Sequence, residues 1–237
     1  MSKALWIKSF LFASFCIWGT GLDTSQDVLK STHKMSTSVQ QVIKLPPPAY
    51  SSKTSIEEAL LKRRSVREYK NEPMEIKDIA QLLWAAQGIT SEEGHRTSPS
   101  AGALYPLEIY LVSGNINNLP AGVYHYTPLD HSLTLIEAGD KRKLLAASAL
   151  MQGSINRSAG VIVISGVYAR TTIKYFERGK KYVHMEAGHC SQNIYLQAVS
   201  LDIGTVVMGA FTDTLVKKVL KLPREAEPLY LMPVGKI

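Results

Sequence analysis

Val161-Ile162-Val163-Ile164 is an unbroken run of β-branched residues, and Ala187, Cys190, Ile194, Gln197 or Ala198, and Leu201 follow it at helical spacing. A short apolar run without polar alternation reads as a central strand buried on both faces. Residues recurring every three to four positions put one apolar stripe on a long helix, which Gly204 is predicted to end. A buried strand feeding a long striped helix needs a domain in which helices pack on a sheet.

Outward from that pair, Leu107 to Val112 reads as a strand and Gly122 to Ile136 as a hairpin turning at Pro128 and Asp130. Lys141 to Met151 reads as a helix. Thr212 or Asp213 caps another, with Leu215, Val216, Val219 and Leu220 on its face and Pro223 closing it, before a last strand over Leu229 to Val234. On the amino-terminal side, Ser55 with Glu58 three residues on is a capping box, opening a helix with Ile56, Ala59 and Leu60 on one face. A second helix follows Pro73, carries Ile76, Ile79, Ala80 and Leu83, and stops at Gly88. No strand-helix-strand unit repeats, so the fold class is α+β rather than doubly wound.

The 237 residues are 45% hydrophobic and 20% charged, enough for one domain with a substantial core, and this excludes wholesale disorder, a collagen-like repeat and a coiled-coil rod. The domain is expected over 55–237. Residues 22–54 are rich in Ser, Thr and Gln and end in Pro46-Pro47-Pro48, the composition of a linker that becomes extended. Residues 1–21 read as a signal peptide or amino-terminal anchor: Lys3 and Lys8, an apolar run from Phe10 to Trp18, then Gly19 and Gly21 at a cleavage site. Export to the cell envelope or anchoring by this leader is expected, with a cytoplasmic location if the leader does not function. Cys16 and Cys190 are too few for a disulfide framework or a zinc site, and no metal is expected.

A net charge of +7 suits an anionic partner, be it phosphate, nucleic acid or a lipid surface. The chain has no Gly-x-Gly-x-x-Gly, no phosphate-loop lysine motif and no Gly-x-Ser-x-Gly elbow. His184-Met185-Glu186 lacks the Pro-Cys-x-x-Cys that a zinc deaminase requires, and Cys190 lies on the apolar stripe as an inert thiol. Arg63-Arg64-Ser65-Val66-Arg67 is different: three guanidiniums around a hydroxyl can grip a phosphate and keep a cation for a second anionic feature. A solvated basic helix end or a nucleic-acid contact is the plainer reading of that cluster alone. The small-residue loop Ser98 to Ala103 and the segment Gly204 to Phe211 each let a planar ring approach the backbone. Together these three segments describe a flat heterocycle with a phosphate tail.

From Ser55 to Lys236 the chain resembles the nitroreductase-like FMN oxidoreductases, and within them the SagB-type dehydrogenases that include azoline-oxidising peptide enzymes. The resemblance rests on residues 63–69, 98–108, 122–126, Glu186-Ala187-Gly188-His189 with Gln192-Asn193, 204–211, and Met232-Pro233-Val234-Gly235. It implies a central mixed sheet flanked by helices, in an intertwined homodimer with FMN at the interface. It places Arg63, Arg64 and Ser65 at the FMN phosphate and Arg67 near the pyrimidine end of the flavin. Pro99, Ser100, Ala101 and Gly102 become the loop that reaches onto the flavin from the second chain, and Met208, Gly209 and Ala210 the backbone beside N5 and O4. Gln152 is assigned to the pyrimidine edge and Lys236 to the phosphate. The activity implied is ping-pong hydride transfer through flavin N5, with NADH or NADPH as a donor and a small molecule or peptide-derived heterocycle as substrate. No nucleic-acid partner is implied. In the azoline-oxidising branch a Lys-Tyr pair removes a proton, and Lys181 and Tyr182 stand in that neighbourhood, where a solvated charge run is the other reading. A flavin-binding scaffold without turnover would share these binding loops.

Overall fold

The computed structural model describes residues 41–237. The leader over 1–21 and the linker up to residue 40 lie outside the described residues. A seven-stranded sheet is built from β1 (Val42–Lys44), β3 (Leu107–Ser113), β5 (Gly122–Thr127), β6 (Ser132–Ala138), β7 (Gly160–Val167), β8 (Ile203–Thr205) and β9 (Ala226–Lys236), in the order β1-β6-β5-β3-β7-β9-β8. A two-residue pair, β2 (Met74–Glu75) with β4 (Ile116–Asn117), stands apart. The helices are α1 (Ile56–Lys62), α2 (Ile76–Gln87), α3 (Arg142–Ser148), α4 (Gly153–Arg157), α5 (Tyr168–Tyr175), α6 (Arg178–Ser200) and α7 (Asp213–Leu220).

The α+β class holds, and β7 is the central strand expected. Ile162 and Ile164 face a core shared with α2 and α6, while Val161 and Val163 face a second core with α3, α4 and α7. The alternation of a strand sends successive side chains to opposite faces, so an all-apolar strand must be covered twice. On α6 the predicted stripe is observed: Ala187, Cys190, Ile194 and Ala198 are all buried. Where the resemblance implied a mixed sheet, every pairing within the large sheet is antiparallel, and the parallel pairing is β2 with β4. The long helical crossover leaves β7 and enters β8, but β9 fills the gap between them and pairs antiparallel with both.

Four expectations need correction. The linker predicted to 54 does not last: β1 joins the sheet through β6, Leu45 is buried, and Ala49 exchanges two backbone hydrogen bonds with the Gln81 side chain (2.8 and 3.0 Å). A polar, Pro-ending segment still carries Val42-Ile43-Lys44, short enough to be hidden by its surroundings and able to cover a sheet edge. The helix expected over 141–151 ends at Ser148, because Leu150 and Met151 adopt left-handed backbone (φ 53° and 58°) before α4 begins at Gly153. Gly204 does not stop α6: Asp202 (φ 54°) makes the turn and Gly204 sits in β8. Helix α5 was not anticipated, since its eight residues hold a single buried side chain, Thr171. Among the described residues no helix is long and apolar enough to cross a membrane.

Candidate functional site

After α1 the chain leaves helical geometry at Arg63 and runs extended along the edge of β8 and the end of β9. Val66 N–H donates to Thr205 O (2.9 Å) and Lys70 N–H to Lys236 O (2.9 Å). The approach is so close that only glycine fits beneath it. A Cβ on Gly204 would fall 2.8 Å from Val66 Cγ1, and one on Gly235 would fall 2.7 Å from Tyr69 Cβ. This docking delivers Arg63 and Ser65 to α6. The Arg63 guanidinium lies 5.1 Å from the centre of the Tyr195 ring, a cation–π contact. Tyr195 Oη accepts the Val207 N–H (2.8 Å) and lies 3.0 Å from Ser65 Oγ. Either hydroxyl can be the donor in the Ser65–Tyr195 pair, so Tyr195 ties Ser65 to the backbone of Val207. Arg64 reaches the backbone oxygens of Leu61 and Arg63. Among the described residues none of Arg63, Arg64 and Arg67 pairs with a carboxylate. Lys236 is 3.8 Å from the Glu72 carboxylate, so its charge is partly answered.

The segment 205–210 ties the remaining predicted residues to this cradle. Thr205 holds Val66, Val207 holds Tyr195, Met208 exchanges two backbone hydrogen bonds with Leu231 (2.9 Å each), and Ala210 O accepts from Gln152 Nε2 (2.9 Å). Gly209 and Ala210 are exposed. Arg63, Ser65, Gln152 and Met208 to Ala210 therefore border one strip of backbone. Arg67 is exposed, and among the described residues no side-chain hydrogen bond or ion pair fixes it.

Pro99 to Gly102 lie elsewhere. Ser98 is buried, donates to Ala86 O (2.8 Å) and accepts from Asn193 Nδ2 (3.1 Å). Ser100 Oγ accepts the Tyr105 N–H, closing a loop in which Gly102, Ala103 and Tyr105 all take left-handed backbone (φ 63°, 53° and 43°). Two non-glycine residues in that region cost energy that the surroundings must offset. Arg96 lies 4.4 Å over the Tyr105 ring and Arg170 donates to Tyr105 O (3.1 Å), clamping it from two sides. Beneath the loop Glu186 is buried, and among the described residues its Oε1 and the nearby Gln87 Nε2 have no hydrogen-bond partner, while Gln87 Oε1 accepts from Arg96 (3.0 Å). Burial pushes the Glu186 carboxyl up to about 7, against the pull of Ser100, Arg96 and Gln87.

Helix α6 separates these two halves. Asn193 holds the loop through Thr97 and Ser98, while Tyr195, two residues on, holds the cradle. Two residues are a rotation of about 200° around a helix, so the halves attach to nearly opposite faces.

The Nitroreductase family model matches residues 60–236. The chain belongs to this family. It is 46% identical over 181 residues to MJ1384 of Methanocaldococcus jannaschii, a protein provisionally named a nitroreductase, across 76% of this chain and 90% of that one. It is 31% identical over 151 residues to the microcin B17-processing protein McbC of Escherichia coli, across 60% of this chain but 54% of the relative. A chain in the structure of the E. coli microcin synthetase McbBCD complex with truncated pro-MccB17 bound overlays with a TM-score of 0.64 at 25% identity, covering 90% of this chain and 84% of that one. The nitroreductase family and its SagB-type branch, which the motifs resembled, are thus borne out.

Of the pair assigned to proton removal in this nitroreductase-family chain, Tyr182 is half-buried against Tyr175, edge to face at 5.1 Å, with Arg178 5.8 Å above it. Lys181 is exposed on the next position of α6. Cys190 is buried, and burial drives its thiol pKa up, as an inert core thiol requires. Sequence reasoning missed Tyr195, Arg96 and the buried Glu186. Tyr195 carried a weak signal, a phenol beside the apolar stripe at Ile194, since buried tyrosines need a partner for the hydroxyl.

Proposed function

We propose that the chain is an FMN-dependent oxidoreductase that moves electrons from NADH or NADPH to a second substrate, a small molecule or a peptide-derived heterocycle, in two half-reactions at one site. The observation that carries this reading is the knot of Arg63, Ser65, Tyr195 and the Val207 amide, set on a glycine-floored edge with carboxylate-free guanidiniums around it. The Arg63 guanidinium and the Ser65 hydroxyl of this knot fit a phosphate monoester, which accepts hydrogen bonds from both, while the Val207 N–H is held by Tyr195. Arg63 and Ser65 would hold that phosphate, with Arg64 alongside and Lys236 as a weaker cation. Arg67 would supply a fixed positive charge where reduction adds a negative one. Gln152 and the backbone of Met208, Gly209 and Ala210 would take the edge of the heterocycle. FMN, once bound, supplies reversible two-electron transfer, which no side chain here can perform. Lys181 and Tyr182 would move the substrate proton.

A homodimer follows from the same reading. The loop from Pro99 to Gly102 hangs on the opposite face of α6 from the cradle, so in this reading a second copy would bring its loop to the first copy's phosphate site. Ile56, Leu60 and Leu61 on α1, 54–73% exposed, give such a partner apolar surface to cover. The likeness to McbC supports a peptide-derived substrate, and the leader over 1–21 supports export or anchoring. The test is the visible spectrum of the purified full chain, followed by anaerobic titration with NADH and NADPH. Bound flavin, bleaching by one nicotinamide and recolouring by an added acceptor are expected. Colourless protein that takes up no added FMN overturns the proposal, and a yellow protein that no donor bleaches makes it a flavin-binding scaffold.

A further inference from the structure

Resting on that flavin site, we propose that the α5–α6 hairpin is the wall that the second substrate meets, and that this substrate is an aromatic or heteroaromatic molecule bearing a carboxylate or similar anion. Contact with the site runs through Gly102, where a Cβ would fall 2.8 Å from Tyr175 Oη and 3.0 Å from Lys174 Nζ. The loop assigned to the flavin thus lies directly against the end of α5. There, Tyr175 and Tyr182 pack edge to face at 5.1 Å, Lys174 lies 5.4 Å over the first ring and Arg178 5.8 Å over the second. Two phenols packed edge to face and flanked by two cations form a mixed aromatic and basic face.

Charge on this hairpin is lopsided. Residues 168–185 contain Arg170, Lys174, Arg178, Lys180 and Lys181 against one acid, Glu177. Arg170 is spent on Glu108 and Lys180 on Glu177, so Lys174, Arg178 and Lys181 have no carboxylate partner among the described residues. Apolar surface stands beside them: Ile173 is 80% and Phe176 78% exposed. Phe176 also takes left-handed backbone (φ 50°) at the junction of the two helices, a costly conformation for a bulky side chain. A neutral aromatic molecule meeting this wall gains ring contacts. An anionic one gains in addition the attraction of nearby cations, which grows as water is excluded. The phosphates of the nicotinamide donor share this chemistry, and the experiment separates the two.

The test uses the full-length, flavin-loaded protein and a matched pair of probes, 4-nitrobenzoate and its neutral amide 4-nitrobenzamide. Binding to the oxidised protein is measured by calorimetry, and kcat/KM for each probe at saturating NADH. The wild type is expected to prefer the carboxylate, less so as ionic strength rises. In the K174Q/R178Q double variant that preference should fall about tenfold by both measures, while R178K alone should keep it within about twofold. A wild type without preference overturns the proposal, as does a yellow double variant whose preference is unchanged. A double variant that raises only the KM for NADH assigns the cations to the donor and overturns it too. Colourless protein defeats the flavin reading and this proposal together, whereas a yellow protein with unaltered preference defeats this proposal alone.

Discussion

Tyr195 is the residue on which the cradle turns. Its hydroxyl accepts from the Val207 amide and meets Ser65, so Tyr195→Phe removes two hydrogen bonds and leaves a backbone N–H short of a partner. The expected result is a stability loss of about 1–2 kcal/mol in urea unfolding, with weaker retention of added FMN by fluorescence. Glu186 gives a second prediction. Its carboxyl is raised from 4.5 to about 7, chiefly by burial. The folded chain therefore keeps that proton to higher pH than the unfolded chain, and the stability from this site is complete below about pH 4.5 and falls as pH rises towards 7. Glu186→Gln, neutral at every pH, should be more stable than wild type at pH 8 by on the order of 1–2 kcal/mol, with the gap closing in acid. Parallel melting curves from pH 5 to 8 check it, and a gap independent of pH would sink it. Neither residue was legible beforehand: a tyrosine and a glutamate on a long helix look alike whether they face water or a buried loop.

At the scale of elements, the sequence spoke clearly where burial imposes a period. β7, the α6 stripe, the Gly122–Thr127 hairpin arm and the capping hydroxyl of Ser55, which accepts the Glu58 N–H at 3.1 Å, all follow from local rules. It was silent where an element is held by a neighbour. Helix α5 packs through its backbone on Gly179, whose Cβ would fall 2.9 Å from Thr172 N and Cα. Those atoms cannot move aside without breaking α5, so Gly179→Ala should cost about 2–3 kcal/mol. Faster proteolysis between α5 and α6 should accompany the loss, with the spectrum of bound flavin altered less. A substitution without effect on either would show that the two helices do not need this contact.

The whole molecule is the scale at which the site is completed. A chain that hangs its cradle and its small-residue loop on opposite faces of α6 is expected to sediment at twice its own mass, independent of flavin loading. A monomer by sedimentation velocity at micromolar concentration would remove the two-chain site. The sequence by itself determined the α+β class, the buried strand, the helical stripe and the basic and small-residue segments, because apolar periodicity and glycine spacing are written residue by residue. Only the tertiary structure decided that β1 extends the sheet, that β9 lies between β7 and β8, and that Tyr195 links Ser65 to Val207. Those are pairings between residues far apart in the chain, fixed by which edges and faces remain to be covered once the local elements have formed.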